Sequence, residues 1–261
     1  MPLNLSLSHD FIMKLLILCP AGFLAALVDS IAGGGGLISV PAYLLAGIPP
    51  HVTLGTNKFS STAASFTSSL KFARSGKVNF NLMKYLAPFT LVGAVLGVTS
   101  VLKLDQNFLY SLVLILILCV GVYSFFSKSI GIEDKFKGTT KKTIFLGMLL
   151  ALSLGFYDGF FGPGTGSFLI FGLISIYGFD FVKASGNAKF LNFVSNITSL
   201  LLFAAHGQIN YLLGVPVAIF MIFGARVGTV LAINKGSKLI KPIFIIMSLG
   251  VAVKMLYQMI F

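Results

Sequence analysis

The chain has 261 residues, of which 56% are hydrophobic and 10% charged, and its formal net charge is +12. This composition excludes an ordinary soluble domain, which needs a charged surface. Apolar runs of about twenty residues, the length that spans a bilayer, recur along the chain. The sequence therefore predicts an all-α polytopic membrane protein. The basic residues lie mainly in short loops between the runs. This placement indicates that they set the orientation of the helices in the membrane and contact the lipid bilayer, and it does not favour a nucleic-acid surface.

Apolar runs and their breaks predict five segments in each half of the chain. These are 11–32, 37–48, 53–73, 80–102 and 107–127, then 143–161, 167–178, 184–205, 211–233 and 239–260. We expect a first transmembrane repeat at 1–127, a polar linker at 128–142 and a second repeat at 143–261. Each repeat has four long helices and one short broken helix. A short helix of about 18 Å does not span the bilayer alone, so it either re-enters or completes a crossing.

The two halves are related in sequence at an offset of 131 positions. The offset superposes 55–59 on 186–190, 76–80 on 207–211, and Gly93 and Gly97 on Gly224 and Gly228. These ungapped matches predict an internal repeat. Small residues at such spacing are typical of close helix crossings, which is how we interpret the two glycine pairs.

Basic residues predict that the repeats have opposite orientations. The region 71–84 contains Lys71, Arg74, Lys77 and Lys84, whereas its counterpart at 205–211 has no Lys or Arg. The positive-inside rule places the first loop in the cytoplasm and the second outside. When the membrane crossings are counted from the first loop, the basic linker 128–142 and the basic loop at 235–241 also lie on the cytoplasmic side. We therefore expect two inverted repeats and both termini outside.

Two glycine-rich breaks, each followed by a short segment, predict a substrate site. The residues concerned are Gly33, Gly34, Gly35 and Gly36 in the first break, and Gly162, Gly164, Thr165 and Gly166 in the second. Unwound backbone at membrane depth needs protein or water partners, and the start of a helix presents free N–H groups with partial positive charge. The breaks indicate an anion site, with close helix packing or a tight hairpin as the alternative. Neither run completes a nucleotide-binding motif.

Five charged residues lie within apolar segments, where charge is costly and indicates function. They are Asp29, Lys58, Asp158, Lys189 and Arg226. The two lysines are at equivalent positions and are predicted to bind substrate. The alternative is that each snorkels to the interface. The two aspartates are candidates for proton or ion coupling, or for pairing with the lysines. Arg226 binds an anion, pairs with an aspartate or snorkels.

Polar stripes follow both lysines along one helix face. Ser61, Ser65 and Ser69 follow Lys58, and Asn192, Asn196 and Ser199 follow Lys189. Because residues three and four apart share a face, the stripes predict one central cavity. Asn57, Asn192 and Asn196 complete the predicted substrate-binding set.

Metal, cofactor and enzyme chemistry have little support in the sequence. Cys19 and Cys119 lie in apolar runs, and His9, His51 and His206 are far apart, without partners at helical spacing. No nucleophile with a base and no metal-ligand pattern is visible, so we predict no cofactor, no metal and no catalytic residues.

Several ordered strings resemble the sulfite exporter TauE/SafE family, in particular its YfcA-like branch. They are 29–36 with Pro41, 56–58, 155–163 and 224–228. The resemblance extends to 183–184, Lys189, Asn192, Ser195 and Asn196, then to 235–236 and 238–240 with Pro242. The resemblance covers nearly the whole chain. It implies a carrier in the bacterial inner membrane, driven by an ion gradient, in a family associated with sulfite, sulfonates and other sulfur-containing anions.

We therefore expect a secondary transporter of small anions that works by alternating access of its two repeats. An uncoupled anion channel is the nearest alternative, and an intramembrane enzyme is a more distant one. The oligomeric state stays open, with a homodimer as one option.

Overall fold

The computed structural model describes residues 9–126 and 133–235, and it folds these residues into nine α-helices. They are α1 His9–Ala32, α2 Gly36–Leu45, α3 Pro50–Arg74, α4 Phe80–Val101, α5 Gln106–Phe126, α6 Lys141–Phe160, α7 Thr165–Tyr177, α8 Phe181–Ala205 and α9 Tyr211–Lys235. The all-helical prediction is confirmed for this part of the chain. The predicted segment 239–260 lies outside the described residues.

Five of the described helices are long and apolar enough to cross a membrane. They are Asp10–Ala32 within α1, and α4, α6, α8 and α9. The protein is therefore a multi-pass membrane protein. Large apolar side chains on the outer faces of these helices are exposed, among them Leu16, Phe145 and Leu212. Such faces suit contact with lipid tails, for which an apolar exterior is favourable.

The predicted short helices are present, and glycine backbone geometry explains where they begin. Helix α1 ends before Gly33, which has a φ of +82°, and α6 ends before Gly162, with a φ of +99°. Residues with a side chain rarely adopt positive φ, so glycine stops the helix there at low steric cost. Helices α2 and α7 then begin within a few residues.

Helices α3 and α8 form the polar centre of the bundle. They pack against each other, α3 also packs on α9, and α8 also packs on α4. The outer helices pair as α1 with α9 and α4 with α6. Buried hydroxyl groups on the central helices mostly donate to carbonyls of their own helix, as Thr62 Oγ1 does to Lys58 O at 2.6 Å. Local bonds of this kind satisfy polar groups away from water.

The glycine pairs form close helix crossings, as the small-residue spacing predicts. A Cβ added at Gly97 of α4 would lie 2.2 Å from the carbonyl oxygen of Phe156 on α6. A Cβ added at Gly228 of α9 would lie 2.3 Å from the carbonyl oxygen of Leu27 on α1. No side chain fits at such distances, so the prediction of close packing is confirmed at both crossings.

Each central helix also receives a loop from the other half of the chain. The backbone N–H of Asn79 donates to Asn187 Oδ1 at 2.9 Å, and that of Asn210 donates to Thr56 Oγ1 at 2.9 Å. Asn79 and Asn210 are 131 positions apart, as are Thr56 and Asn187. The same contact is thus made twice, by residues that the sequence offset equates.

Candidate functional site

The two glycine-rich breaks meet in the centre of the bundle. Ser167, in the first turn of α7, donates its backbone N–H to Gly33 O at 3.0 Å and its hydroxyl to Ala32 O at 2.8 Å. A Cβ at Gly33 would lie 2.3 Å from the carbonyl carbon of Gly166. The chain therefore needs glycine at Gly33 for the approach of the second break as well as for its φ.

Asp29 joins the first break to a lysine of the second half. Its Oδ2 accepts from Lys189 Nζ at 2.6 Å, and its Oδ1 accepts from the Gly35 backbone N–H at 3.3 Å. The Lys189 side chain is completely buried, whereas the Asp29 side chain is 23% exposed. Asp29 lies one helix turn before the break. Its carboxylate therefore accepts from the unwound backbone and also neutralises the buried ammonium group of Lys189.

Asp158 forms the second pair, with the lysine of the first half. Its Oδ1 lies 3.0 Å from Lys58 Nζ. Its Oδ2 accepts from the Ser195 hydroxyl and from Asn192 Nδ2. Lys58 also donates to Asn196 Oδ1 at 3.1 Å. Both charged side chains are at most 4% exposed. Such burial is tolerated because these further donors and acceptors satisfy the pair.

The pairing settles two alternatives that the sequence leaves open. Lys58 and Lys189 are 3% and 0% exposed, so neither side chain snorkels to an interface. Each pairs instead with an aspartate of the other half, which was one of the predicted arrangements. The lysines therefore do not present bare positive charge, because two carboxylates balance two ammonium groups at the centre.

A small cavity lies between the breaks and the two central helices. The volume of this cavity is about 30 Å³, which is enough for about two water molecules. The predicted residues that line it are Asp29, Gly33, Gly35, Gly36, Asn57, Lys58, Asp158, Gly162, Gly164, Gly166, Asn192 and Asn196. Two residues of each predicted polar stripe thus meet at one cavity, Lys58 and Ser61 of α3 and Asn192 and Asn196 of α8, whereas the others do not line it.

Four predicted site residues do not line the cavity. Lys189 lies behind Asp29, and Gly34 lies within the first break. The Thr165 hydroxyl donates to Gly162 O at 2.7 Å and so holds the second break together. Arg226 is exposed on α9. It lies apart from both ion pairs, and among the described residues no salt bridge to it is formed.

Asn57 is a cavity residue with unmet hydrogen-bonding capacity. The residue is 6% exposed, and its buried Oδ1 has no hydrogen-bond partner among the described residues. An unpaired buried amide costs free energy unless a ligand or water completes it. Its position next to Lys58 makes it suited to orienting a polar ligand. The equivalent position in the second half is Ala188, so this feature occurs once.

Several residues of the site were not among the predicted site residues, and three of them have the most informative positions. Ser195 binds the Asp158 carboxylate, and Ser39 and Met221 line the cavity. Helical spacing pointed to Ser195, because it follows Asn192 by three positions on the face that the stripe occupies. Nothing in the sequence singled out Ser39 or Met221, because tertiary packing alone brings α2 and α9 to the cavity.

Comparisons with known proteins agree with this architecture. A model of the family described as Sulfite exporter TauE/SafE matches residues 18–255. A "Probable membrane transporter protein" of Haemophilus influenzae is 39% identical over 244 residues, covering 94% of this chain and 95% of that protein. The "Probable membrane transporter protein YfcA" of Escherichia coli is 36% identical over 239 residues, covering 90% and 87%.

A third relative, the "Probable membrane transporter protein ORF9" of a Sinorhizobium species, is 39% identical over 236 residues, covering 90% of each chain. No solved structure matches significantly. The relatives are bacterial and are named as transporters, not as enzymes. The chain is a member of the TauE/SafE family of membrane transporters.

Proposed function

We propose that the protein is a secondary transporter of small anions, with sulfite and organosulfonates as the first candidates, and that the central cavity is its substrate site. The observation that carries the proposal is the meeting of two broken helices and two buried lysine–aspartate pairs at one cavity. Buried charge within a bilayer is costly to maintain, and in membrane proteins it commonly marks a substrate or ion pathway.

Three kinds of group would hold the substrate. At the starts of α2 and α7, the backbone N–H groups of Gly36 and Gly166 would face the anion, because helix starts favour negative charge and both glycines line the cavity. Lys58 lines the cavity and has Asp158 and Asn196 as its partners. Asn57 Oδ1 has no partner among the described residues, and as an acceptor it would bind a hydrogen-bond donor of the substrate, such as a protonated oxygen or an amino group, instead of the negative charge. Lys189 would join them when its contact with Asp29 loosens.

The size of the cavity supports an alternating-access cycle. Space for about two waters is too small for an organosulfonate. The described conformation therefore does not hold such a substrate, and in the proposed cycle the site widens and opens to one side of the membrane at a time. A continuous pore would be expected of an uncoupled channel, which is the nearest alternative.

Two inverted repeats rocking about the cavity would supply this motion. Support comes from the loop contacts of Asn79 and Asn210, and from ion pairs that each join one half to the other. We place both termini outside and the linker 128–142 in the cytoplasm of the bacterial inner membrane, because the basic loops favour that orientation. The aspartates would couple transport to protons or another ion.

Flux measurements on reconstituted protein test the proposal. Proteoliposomes would be offered labelled sulfite, thiosulfate, taurine, methanesulfonate and chloride, each with and without an imposed proton gradient. We expect saturable uptake of one class of anion, and a loss of at least tenfold in Lys58→Met and in Lys189→Met. Lys84→Met is the matched control, because Lys84 is exposed at the start of α4. Undiminished flux in both correctly folded lysine variants would overturn the proposal.

A further inference from the structure

The two carboxylates of the cavity have unequal access to water. The Asp158 side chain is 3% exposed, and Lys58, Ser195 and Asn192 hold its two oxygens. The Asp29 side chain is 23% exposed, with Lys189 on one oxygen and only the long contact from Gly35 N–H on the other. Asp29 is therefore the carboxylate that water in the cavity can reach, whereas side chains already bind both oxygens of Asp158.

The net charge of the site explains why the different access of the two aspartates to water matters for transport. Lys58, Lys189, Asp29 and Asp158 together carry no net charge. A monovalent anion alone would give the loaded site a net charge of −1, and moving a net charge through a low-dielectric interior is costly. One proton added together with the anion returns the sum to zero.

We propose that Asp29 is the proton-binding residue of the transport cycle and that it takes up one proton for each monovalent anion bound. This inference rests on the proposed transport function. The proton passes from a hydronium ion in the cavity to a carboxylate oxygen of Asp29, and no other bond is made or broken. Lys189 stays an ammonium group and loses its ionised partner, so its positive charge behind Asp29 attracts the anion in the cavity. Asp158 stays ionised and keeps Lys58 in place.

The groups around Asp29 are consistent with this role. Helix α8 contributes Lys189, and α3 contributes Lys58 across the cavity, next to Asp158 of α6. Helices α2 and α7, which also pack on α1, contain no charged residue. On α9, Arg226 is exposed and lies away from the cavity. Among the described residues, Lys189 is thus the direct ionic partner of Asp29.

Anion binding to the detergent-purified full chain tests the proposal. Methanesulfonate and chloride are suitable probes, because both remain monoanions across the pH range used. In the wild type we expect the apparent Kd to rise about tenfold per pH unit above the pH at which Asp29 loses its proton, since binding of the proton and of the anion are linked. Asp29→Asn mimics the protonated residue and should bind with the low-pH wild-type Kd at every pH.

Asp105→Asn is the matched control, because Asp105 is an exposed residue that caps the start of α5. It should keep the wild-type dependence on pH. If Asp29→Asn kept that dependence as well, the proposal would be wrong. Equal binding of anions to the wild type at all pH values would also overturn it.

A second measurement needs no anion and so separates this inference from the proposed function. Infrared difference spectra between neutral and acidic pH report protonation of carboxyl groups. We expect one band that Asp29→Asn removes, that Asp29→Glu shifts and that Asp105→Asn retains. Asp29→Glu keeps the carboxyl group and serves if Asp29→Asn does not fold. A spectrum that neither Asp29 variant changes would overturn the inference, even if anion transport were demonstrated.

Discussion

The two lysine–aspartate pairs connect equivalent parts of the chain in opposite directions, yet their surroundings differ. Lys58 and Asp158 are both almost completely buried, and three further polar side chains bind them. Lys189 is buried behind Asp29, whose own side chain faces the cavity and is 23% exposed. Under the proposed transport function, this comparison implies a division of roles between the two pairs. One pair would anchor the centre of the bundle, and the other would exchange with protons and substrate.

Removal of a carboxylate should have the largest effect. Asp158→Ala removes one acceptor from each of Lys58, Ser195 and Asn192 and leaves the buried Lys58 without its ionised partner. We expect a loss of about 3–5 kcal/mol in the free energy of unfolding. Asp29→Ala should cost less, because water from the cavity can replace part of its interaction with Lys189. Unfolding in mixed detergent micelles measures both.

A double variant controls for the effect of the lost charge. Lys58→Met combined with Asp158→Leu removes both charges at similar volume, and it should recover most of the stability lost in Asp158→Ala. An equal or larger loss in Asp29→Ala would break the proposed distinction between an anchoring pair and an exchangeable pair.

Individual glycines of the two breaks differ in how tightly they are packed, and alanine substitutions would sharpen that difference. Gly33→Ala should cost about 3 kcal/mol, because it adds both strain at positive φ and a clash with the backbone of Gly166. Gly162→Ala should cost less, because its added Cβ would lie 3.2 Å from the nearest side-chain atoms. Gly34→Ala is the control, since its nearest neighbour is a Leu37 methyl at 3.9 Å. A loss in Gly34→Ala that equalled the loss in Gly33→Ala would refute this explanation.

The helix crossings should respond equally in the two halves. Gly97→Ala and Gly228→Ala each place a methyl group against the backbone of a neighbouring helix, at 2.2 Å and 2.3 Å. We expect each to lower the stability by about 1–3 kcal/mol, as overpacking usually does. Thermal unfolding of the two variants side by side is the measurement. A loss confined to one of them would argue against equivalent roles for the crossings.

The smallest effect concerns the linker. Asp134 contacts Lys183 at the start of α8. Partial burial opposes ionisation of Asp134, but the hydrogen bond and positive charge of Lys183 outweigh it and hold the pKa of Asp134 below its usual value. Asp134→Asn should lower the stability by about 0.5 kcal/mol, since the pair is partly exposed.

The pH dependence of this contact has a definite sign. Because the pKa of Asp134 is lower in the folded protein, the contribution is complete above about pH 4, the usual pKa of an aspartate, and is lost as the pH falls through the folded value. Unfolding measured between neutral and acidic pH in the wild type and in Asp134→Asn would detect it. A contribution that grew on acidification would contradict the assigned cause.

Much of the fold could be predicted because helices that cross a membrane need long apolar runs, which are easy to recognise in a sequence. Long apolar runs and glycine breaks predict the described helices and place α2 and α7 within a few residues of their observed ends. Lys58 and Lys189 were found because charge is rare in apolar segments. Their pairing was one of several alternatives, since nothing in the spacing of Asp29 or Asp158 says which lysine each one meets.

The rest depended on tertiary packing. The exposure of Asp29, the unpaired amide of Asn57 and the approach of Ser39 and Met221 to the cavity arise from contacts between helices that are distant in the chain. Arg226 resembled the other intramembrane charges in sequence, but helical phase turns it outward on α9. Burial of a charge within an apolar segment is therefore a property of the bundle and not of the segment.

Binding of small anions to the purified protein tests the central claim most directly. Thermal unfolding would be followed with sulfite, thiosulfate, taurine, methanesulfonate and chloride in the wild type, Lys189→Met and Lys84→Met. A ligand at 100 times its Kd stabilises a protein by about 2.7 kcal/mol. We expect one class of anion to stabilise the wild type and Lys84→Met but not Lys189→Met. Equal stabilisation of all three proteins would contradict the role of Lys189, and stabilisation of none by any anion would contradict an anion site at the central cavity.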